Sequence, residues 1–123
     1  MATHNDLGKE AEKISKEFLE KNCYQILEQN WRYLKAEIDL IAIDTQSNQL
    51  VIIEVKARTS DQVQAPEKAV NPTKKKLLIL AADAYITKAK MELEVRFDVI
   101  SLLFIDQKWK INHLKNAFNS YEQ

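Results

Sequence analysis

Between Leu7 and Leu19, apolar residues recur at helical spacing with charges between them: Leu7, Ala11, Ile14, Phe18 and Leu19. This period predicts a helix over about residues 7–21. Asn5 or Asp6 is placed to cap its start through a side-chain oxygen, and Asn22 to end it in the left-handed conformation. "YQILEQNWRY" follows as a short strand running into a loop at Asn30-Trp31-Arg32. Two β-branched runs, "EIDLIAI" and "LVIIEVKA", flank a polar turn at Asp44 to Gln49, the pattern of an antiparallel hairpin. "SDQVQAPEKAVNPT" carries both prolines and reads as a loop with a helical turn near Glu67 to Val70. "NPTKKKLLILAADAYITKAK" is the second helix, with Thr73 as its cap and Leu77, Leu80, Ala81, Ala84 and Tyr85 on its apolar face. "LEVRFDVISLLFI" is a long strand, joined through a turn at Asp106-Gln107 to its neighbour "KWKINHL". Residues from about 116 to 123 read as a frayed end.

The order is helix, three strands, helix, two strands. A helix between the third and fourth strands lets that pair run parallel, so the expected fold is α/β, a central mixed sheet flanked by helices. A chain of 123 residues is most simply one domain, 1–123, with one sizeable core. The longest apolar stretches are far shorter than a bilayer requires, and "MATHNDLGKEAEK" has no apolar h-region. Cys23 stands alone, which excludes an intramolecular disulfide framework or a cysteine-built zinc cluster and fits a cytoplasmic setting. Formal net charge is zero, so any polyanion must be held by local clusters.

The hairpin runs are interrupted by charge: Glu37, Asp39, Glu54 and Lys56. A buried charge is costly unless paired or bound to a metal. By strand alternation Glu37, Asp39, Ile41 and Ile43 share one face, and Ile52, Glu54, Lys56 and Arg58 share one face. A hairpin symmetric about Gln46-Ser47 places Asp39 opposite Glu54, with Cβ atoms roughly 4.5–5.5 Å apart. Carboxylates that close repel unless one is protonated or a cation lies between them. A hard divalent ion suits the gap, and Lys56 reaches the same volume. Metal, activated water and a positive charge are what phosphodiester hydrolysis needs. Ion pairs from Glu37 or Asp39 to Lys56 account for the same charges without any chemistry.

Across residues 55–80, six bases (Lys56, Arg58, Lys68, Lys74, Lys75, Lys76) face two acids (Asp61, Glu67). Lys74, Lys75 and Lys76 open a helix, where cations oppose the macrodipole. They and Arg58 are candidate contacts to a nucleic-acid backbone, against the plainer reading of a solvated lysine run. Trp31, with Arg32 and Tyr33, either stacks on a base or packs on its own protein. Arg96 and Asp98 share a strand face and read as an ion pair. His113 alone makes no metal site, Cys23 lacks an activating neighbour, and Tyr85 reads as core.

Asp39, fourteen intervening residues, then Glu54-Val55-Lys56 resembles the PD-(D/E)xK nuclease signature. More narrowly, "GKEAEKISKEFLEKNCYQILEQNWR", "EIDLIA", "VIIEVKAR", "AVNPTKKKLLILAADAYI", "RFDVI" and "INHLKNAF" resemble the YraN family of small bacterial proteins, similar to archaeal Holliday junction resolvases. The resemblance implies a restriction-endonuclease-like fold and a Mg²⁺- or Mn²⁺-dependent endonuclease acting on DNA, branched DNA included. It implies metal-binding roles for Asp39 and Glu54, a water-orienting or charge-stabilising role for Lys56, and a place beside the metal for Glu10. Taken alone, Glu10 flanks the apolar stripe and reads as a solvated helix charge. Similar resolvases are dimers, which implies a homodimer. A non-catalytic nucleic-acid-binding or adaptor module on the same fold is the alternative. The sequence departs from the pattern in having Ile38 rather than proline before Asp39, and Asn22-Cys23 where the family usually has glycine.

Overall fold

The computed structural model describes residues 4–59 and 70–119. The chain runs α1 (His4–Lys21), β1 (Tyr24–Tyr33), β2 (Ala36–Asp44), β3 (Gln49–Thr59), α2 (Pro72–Ala89), β4 (Glu94–Ile105), β5 (Lys108–Phe118). The five strands form one sheet in the order β1-β2-β3-β4-β5. β3 and β4 run parallel, and the other three pairings are antiparallel. This is the expected α/β mixed sheet, compatible with a restriction-endonuclease-like fold. No described helix is long and apolar enough to cross a membrane.

The period-2 alternation of β3 divides the core. Val51 and Ile53 join Ala11 and Leu19 of α1, Leu40, Ile100 and Leu102 in one cluster. Leu50 and Ile52 join Leu78, Ala81, Ala82 and Tyr85 of α2, Ile38, Ile41 and Val99 in the other. The helices therefore cover opposite faces of the sheet; the buried face of α2 is Leu78, Ala81, Ala82 and Tyr85, and Leu80, expected on it, is exposed.

Several local expectations change. α1 already includes Asn5 and Asp6, so neither caps it; Asp6 lies in the first turn, where its charge suits the dipole. At the other end Asn22 Nδ2 donates to the Phe18 carbonyl at 2.7 Å, and the left-handed residue is Cys23, at φ 68°. A side chain there costs about 1–2 kcal/mol of local strain. Cys23→Gly is accordingly expected to stabilise the protein by about 1 kcal/mol after glycine's entropy cost. That is a rise of roughly 4 °C in a thermal melt.

β1 is a continuous strand through Asn30-Trp31-Arg32 rather than a strand giving way to a loop. The packing of partly buried Trp31 explains it: its ring meets Tyr85 of α2 edge-on at 5.2 Å and lies parallel to Tyr33 at 6.3 Å. Asn71, not Thr73, caps α2, its Oδ1 accepting the Lys74 N–H at 2.8 Å. Pro72 takes the first helical position, where a missing N–H is harmless. β5 continues to Phe118, beyond the expected fray, because Phe118 is buried and stacks on Phe97 at 4.8 Å. Of the helical turn expected near Glu67 to Val70, residues 67–69 lie outside the described residues.

Candidate active site

The β2–β3 ladder follows the register read from the hairpin, from Asp44↔Gln49 to Leu40↔Ile53, and stops one rung short of Asp39 and Glu54. Alternation slips at this point. Ile38 and Ile41 both pack on the α2 side while Leu40 packs on the α1 side, so Asp39 does not simply share a face with Ile41. On β1, Asn30 takes φ 51° between the pairs Gln29↔Leu40 and Trp31↔Ile38. The positive φ at Asn30 and the change of face between Ile38 and Leu40 lie opposite each other and re-aim Asp39 without breaking the β1–β2 register.

In place of a ladder bond, Asp39 Oδ2 accepts the Val55 backbone N–H at 2.7 Å. Its carboxyl group lies against that of Glu54, whose charge opposes ionisation of Asp39. Burial, then the Glu54 hydrogen bond and charge, push the Asp39 pKa up to about 9; the Val55 N–H offsets only part of this, and the charge of Glu12 adds to it.

Glu54 is 4% exposed, and its Oε2 lies 2.5 Å from Lys74 Nζ on the first turn of α2. The contact is a charge-assisted one between an ammonium group and a carboxylate. Lys56 completes the group from β3. Burial lowers its pKa and the Lys74 ammonium adds to this, with Glu54 and Asp39 offsetting part. Burial acts the same way on Lys74, but the hydrogen bond and charge of Glu54 outweigh it and hold that pKa above the ordinary lysine value.

Asp39, Glu54, Lys56 and Lys74 are therefore brought together. Ion pairing does account for some of the strand charges, with different partners from those expected: Glu37 pairs with Arg32 at 2.6 Å and Glu54 with Lys74. Glu10 accepts the Trp109 indole N–H of β5 at 2.9 Å. The α1 acid whose charge reaches Asp39 is Glu12, which also accepts from Asn30 Nδ2 at 3.3 Å. Sequence reasoning missed Glu12, yet a signal exists. Glu12 stands three and seven positions before buried Ser15 and Leu19, whereas Glu10 stands four and eight before Ile14 and Phe18. Phe18 meets His113 of β5 at 6.0 Å, so that flank of the helix looks toward β5.

The other basic candidates diverge. Lys75 lies over the Phe118 ring at 5.5 Å, Lys76 is exposed, and Arg58 is half-buried near the end of β3. A cleft of about 240 Å³ opens beside Lys74, lined also by Lys35, Glu37, Asn71, Thr73 and Leu77.

Two hard carboxylates fit Mg²⁺ or Mn²⁺, ions that take one or two protein carboxylates and complete their shell with water. The repulsion between the Asp39 and Glu54 carboxyl groups, which opposes ionisation of Asp39, is what such an ion would relieve. Among the described residues no group of three or more His, Cys, Asp or Glu is disposed as a metal cage.

A family model described as Uncharacterised protein family UPF0102 matches residues 11–102. The chain belongs to the UPF0102 family. It is 47% identical to the UPF0102 protein of Flavobacterium psychrophilum over 118 residues, covering 96% of this chain and 98% of that one. It is 43% identical to a UPF0102 protein of Flavobacterium johnsoniae, with 96% and 98% covered, and 40% identical to one of Bacteroides thetaiotaomicron, with 96% of each covered. The UPF0102 match takes in Glu12, Asp39, Glu54, Lys56 and Lys74 and begins one residue after Glu10.

Proposed function

We propose that this UPF0102 chain is a metal-dependent endonuclease that hydrolyses DNA phosphodiester bonds in the cytoplasm, with branched DNA such as Holliday junctions as its substrate class. The observation that carries this reading is the juxtaposition of half-buried Asp39, whose Oδ2 accepts the Val55 N–H next to Glu54, with buried Glu54 and the Lys56 ammonium group on the same strand. Two acids held in repulsive contact make poor structural parts and good cation ligands. Asp39 and Glu54 would hold the ion, and Glu12 adds negative field from α1. A bound divalent ion supplies charge neutralisation on the phosphate and a water of lowered pKa. Lys56 orients that water or donates to the negative charge developing on the phosphoryl oxygens. The branched substrate and a homodimeric state rest on the likeness to resolvases.

One observation favours a second reading, a non-catalytic DNA-binding adaptor: the Glu54–Lys74 ion pair already compensates one acid. Incubating the protein with plasmid, flap and four-way-junction DNA, in Mg²⁺, Mn²⁺ or chelator, separates the two. Metal-dependent cutting lost in Asp39→Ala and Lys56→Ala supports the endonuclease. DNA binding that persists in chelator, without cutting in either metal, supports the adaptor.

A further inference from the structure

The Asp39–Glu54 pair needs no added ion for charge compensation, because the ammonium groups of Lys56 and Lys74 already stand against it. Those ammonium groups are not equivalent. Lys56 projects from β3 itself, two residues past Glu54 on the same strand, where β4 pairs with it. Lys74 projects from the first turn of α2, and its side chain is 38% exposed. Its backbone N–H is held independently by Asn71, so the side chain can swing without loosening the helix. It also lines the 240 Å³ cleft, which offers its ammonium group a place to go. Its grip on Glu54 is that of one singly charged ammonium group, which a doubly charged ion can displace.

We propose that Lys74 is an exchangeable counter-ion: its ammonium group neutralises Glu54 in the metal-free protein, gives up that carboxylate to a divalent cation, and turns into the cleft to take a DNA phosphate oxygen. The inference rests on the metal reading of the Asp39–Glu54 pair and deepens it. A doubly charged ion that replaces the proton on Asp39 adds positive charge to a cluster that already holds two ammonium groups, and the more exposed ammonium group is the one expelled. A phosphate brings back the negative charge that Lys74 has lost, so metal and DNA binding help each other through one side chain.

Calorimetric Mn²⁺ titration of the wild type, Lys74→Gln, Lys74→Arg and Lys76→Gln tests this. Lys74→Gln removes the competing cation and is expected to bind Mn²⁺ on the order of tenfold more tightly. Lys74→Arg keeps the charge with a stronger, forked grip on the carboxylate and is expected to bind Mn²⁺ several-fold more weakly. Lys76→Gln, which removes the same charge from the same turn, should match the wild type. With Ca²⁺ present, Lys74→Gln should lose more affinity for a four-way-junction oligonucleotide than Lys76→Gln does. Mn²⁺ affinities unchanged in both Lys74 variants overturn the exchange, and equal DNA losses in the two glutamine variants overturn the phosphate role. If the wild type and all three variants bind no Mn²⁺, the metal reading itself falls. Lys74→Arg retains a partner for buried Glu54, so it remains informative should Lys74→Gln not fold.

Discussion

Arg96→Met is expected to remove about 3–5 kcal/mol of folding stability, because it strands two buried carboxylates. The Arg96 guanidinium, on a residue 8% exposed, grips Asp98 with two bonds, Nε to Oδ1 at 2.9 Å and Nη2 to Oδ2 at 3.0 Å. Nη1 donates to Asp44 Oδ2 at 2.9 Å and Gln49 Oε1 at 3.0 Å, and Nη2 to the Tyr24 hydroxyl at 2.6 Å. Asp98 and Asp44 are 1% and 3% exposed, too deep for water to replace the lost partner. Such a loss is a large share of the 5–15 kcal/mol that typically separates native from unfolded protein. Urea denaturation followed by circular dichroism measures it, and a loss below about 1 kcal/mol would contradict the account.

The same network sets an acid limit. Burial opposes ionisation of Asp44, but Arg96 and neighbouring donors hold its pKa at about 2. Burial likewise opposes ionisation of Asp98, and His113, Arg96 and the Asn116 N–H together hold its pKa below the ordinary value. Both folded pKa values lie below the unfolded ones. The stability they confer is therefore present above the ordinary carboxylate pKa and lost as pH falls toward about 2. The acid limb of the melting curve should flatten in Arg96→Met.

Asp39→Ala is expected to reduce metal-dependent cutting of DNA about a thousandfold, and Lys56→Ala about a hundredfold. Asp39 would lose a metal ligand, whereas Lys56 would lose only a donor to the reacting groups. Gel assays under single-turnover conditions separate these losses, and near-wild-type rates in both variants would point to another nuclease in the sample. Asp39 also has a signature that needs no DNA. Its pKa in the fold, about 9, lies above the unfolded value. The group therefore favours folding at low pH, and that contribution is lost as pH rises from the ordinary carboxylate pKa toward 9. Asp39→Asn should gain in melting temperature relative to the wild type as pH rises through that window without metal. Saturating Mn²⁺, which favours the ionised pair, should reverse the difference.

The hairpin was legible down to its register because two β-branched runs around a polar turn allow few other pairings. The Arg96–Asp98 pair was legible from strand alternation, though not its extension to Tyr24, Asp44 and His113, which join across the sheet from distant parts of the chain. The slip at Asp39 was not legible. It depends on Asn30, an ordinary strand-edge asparagine until the fold drives it to a positive φ. The resemblance pointed to Glu10, while the charge of Glu12 reaches Asp39 because of how α1 is rolled against the sheet, which packing sets. Lys74 was read as part of a lysine run because its carboxylate partner lies twenty residues away in sequence.

The Arg96 cluster has a mechanical consequence. Tyr24, Asp44, Gln49, Arg96 with Asp98, and His113 come from β1, β2, β3, β4 and β5 in turn, so every strand contributes a group. Neither edge strand can peel off alone without uncovering part of a buried ionic knot. Partial opening is penalised nearly as heavily as complete unfolding, and slow amide exchange should spread to both margins of the sheet rather than fading outward from its centre.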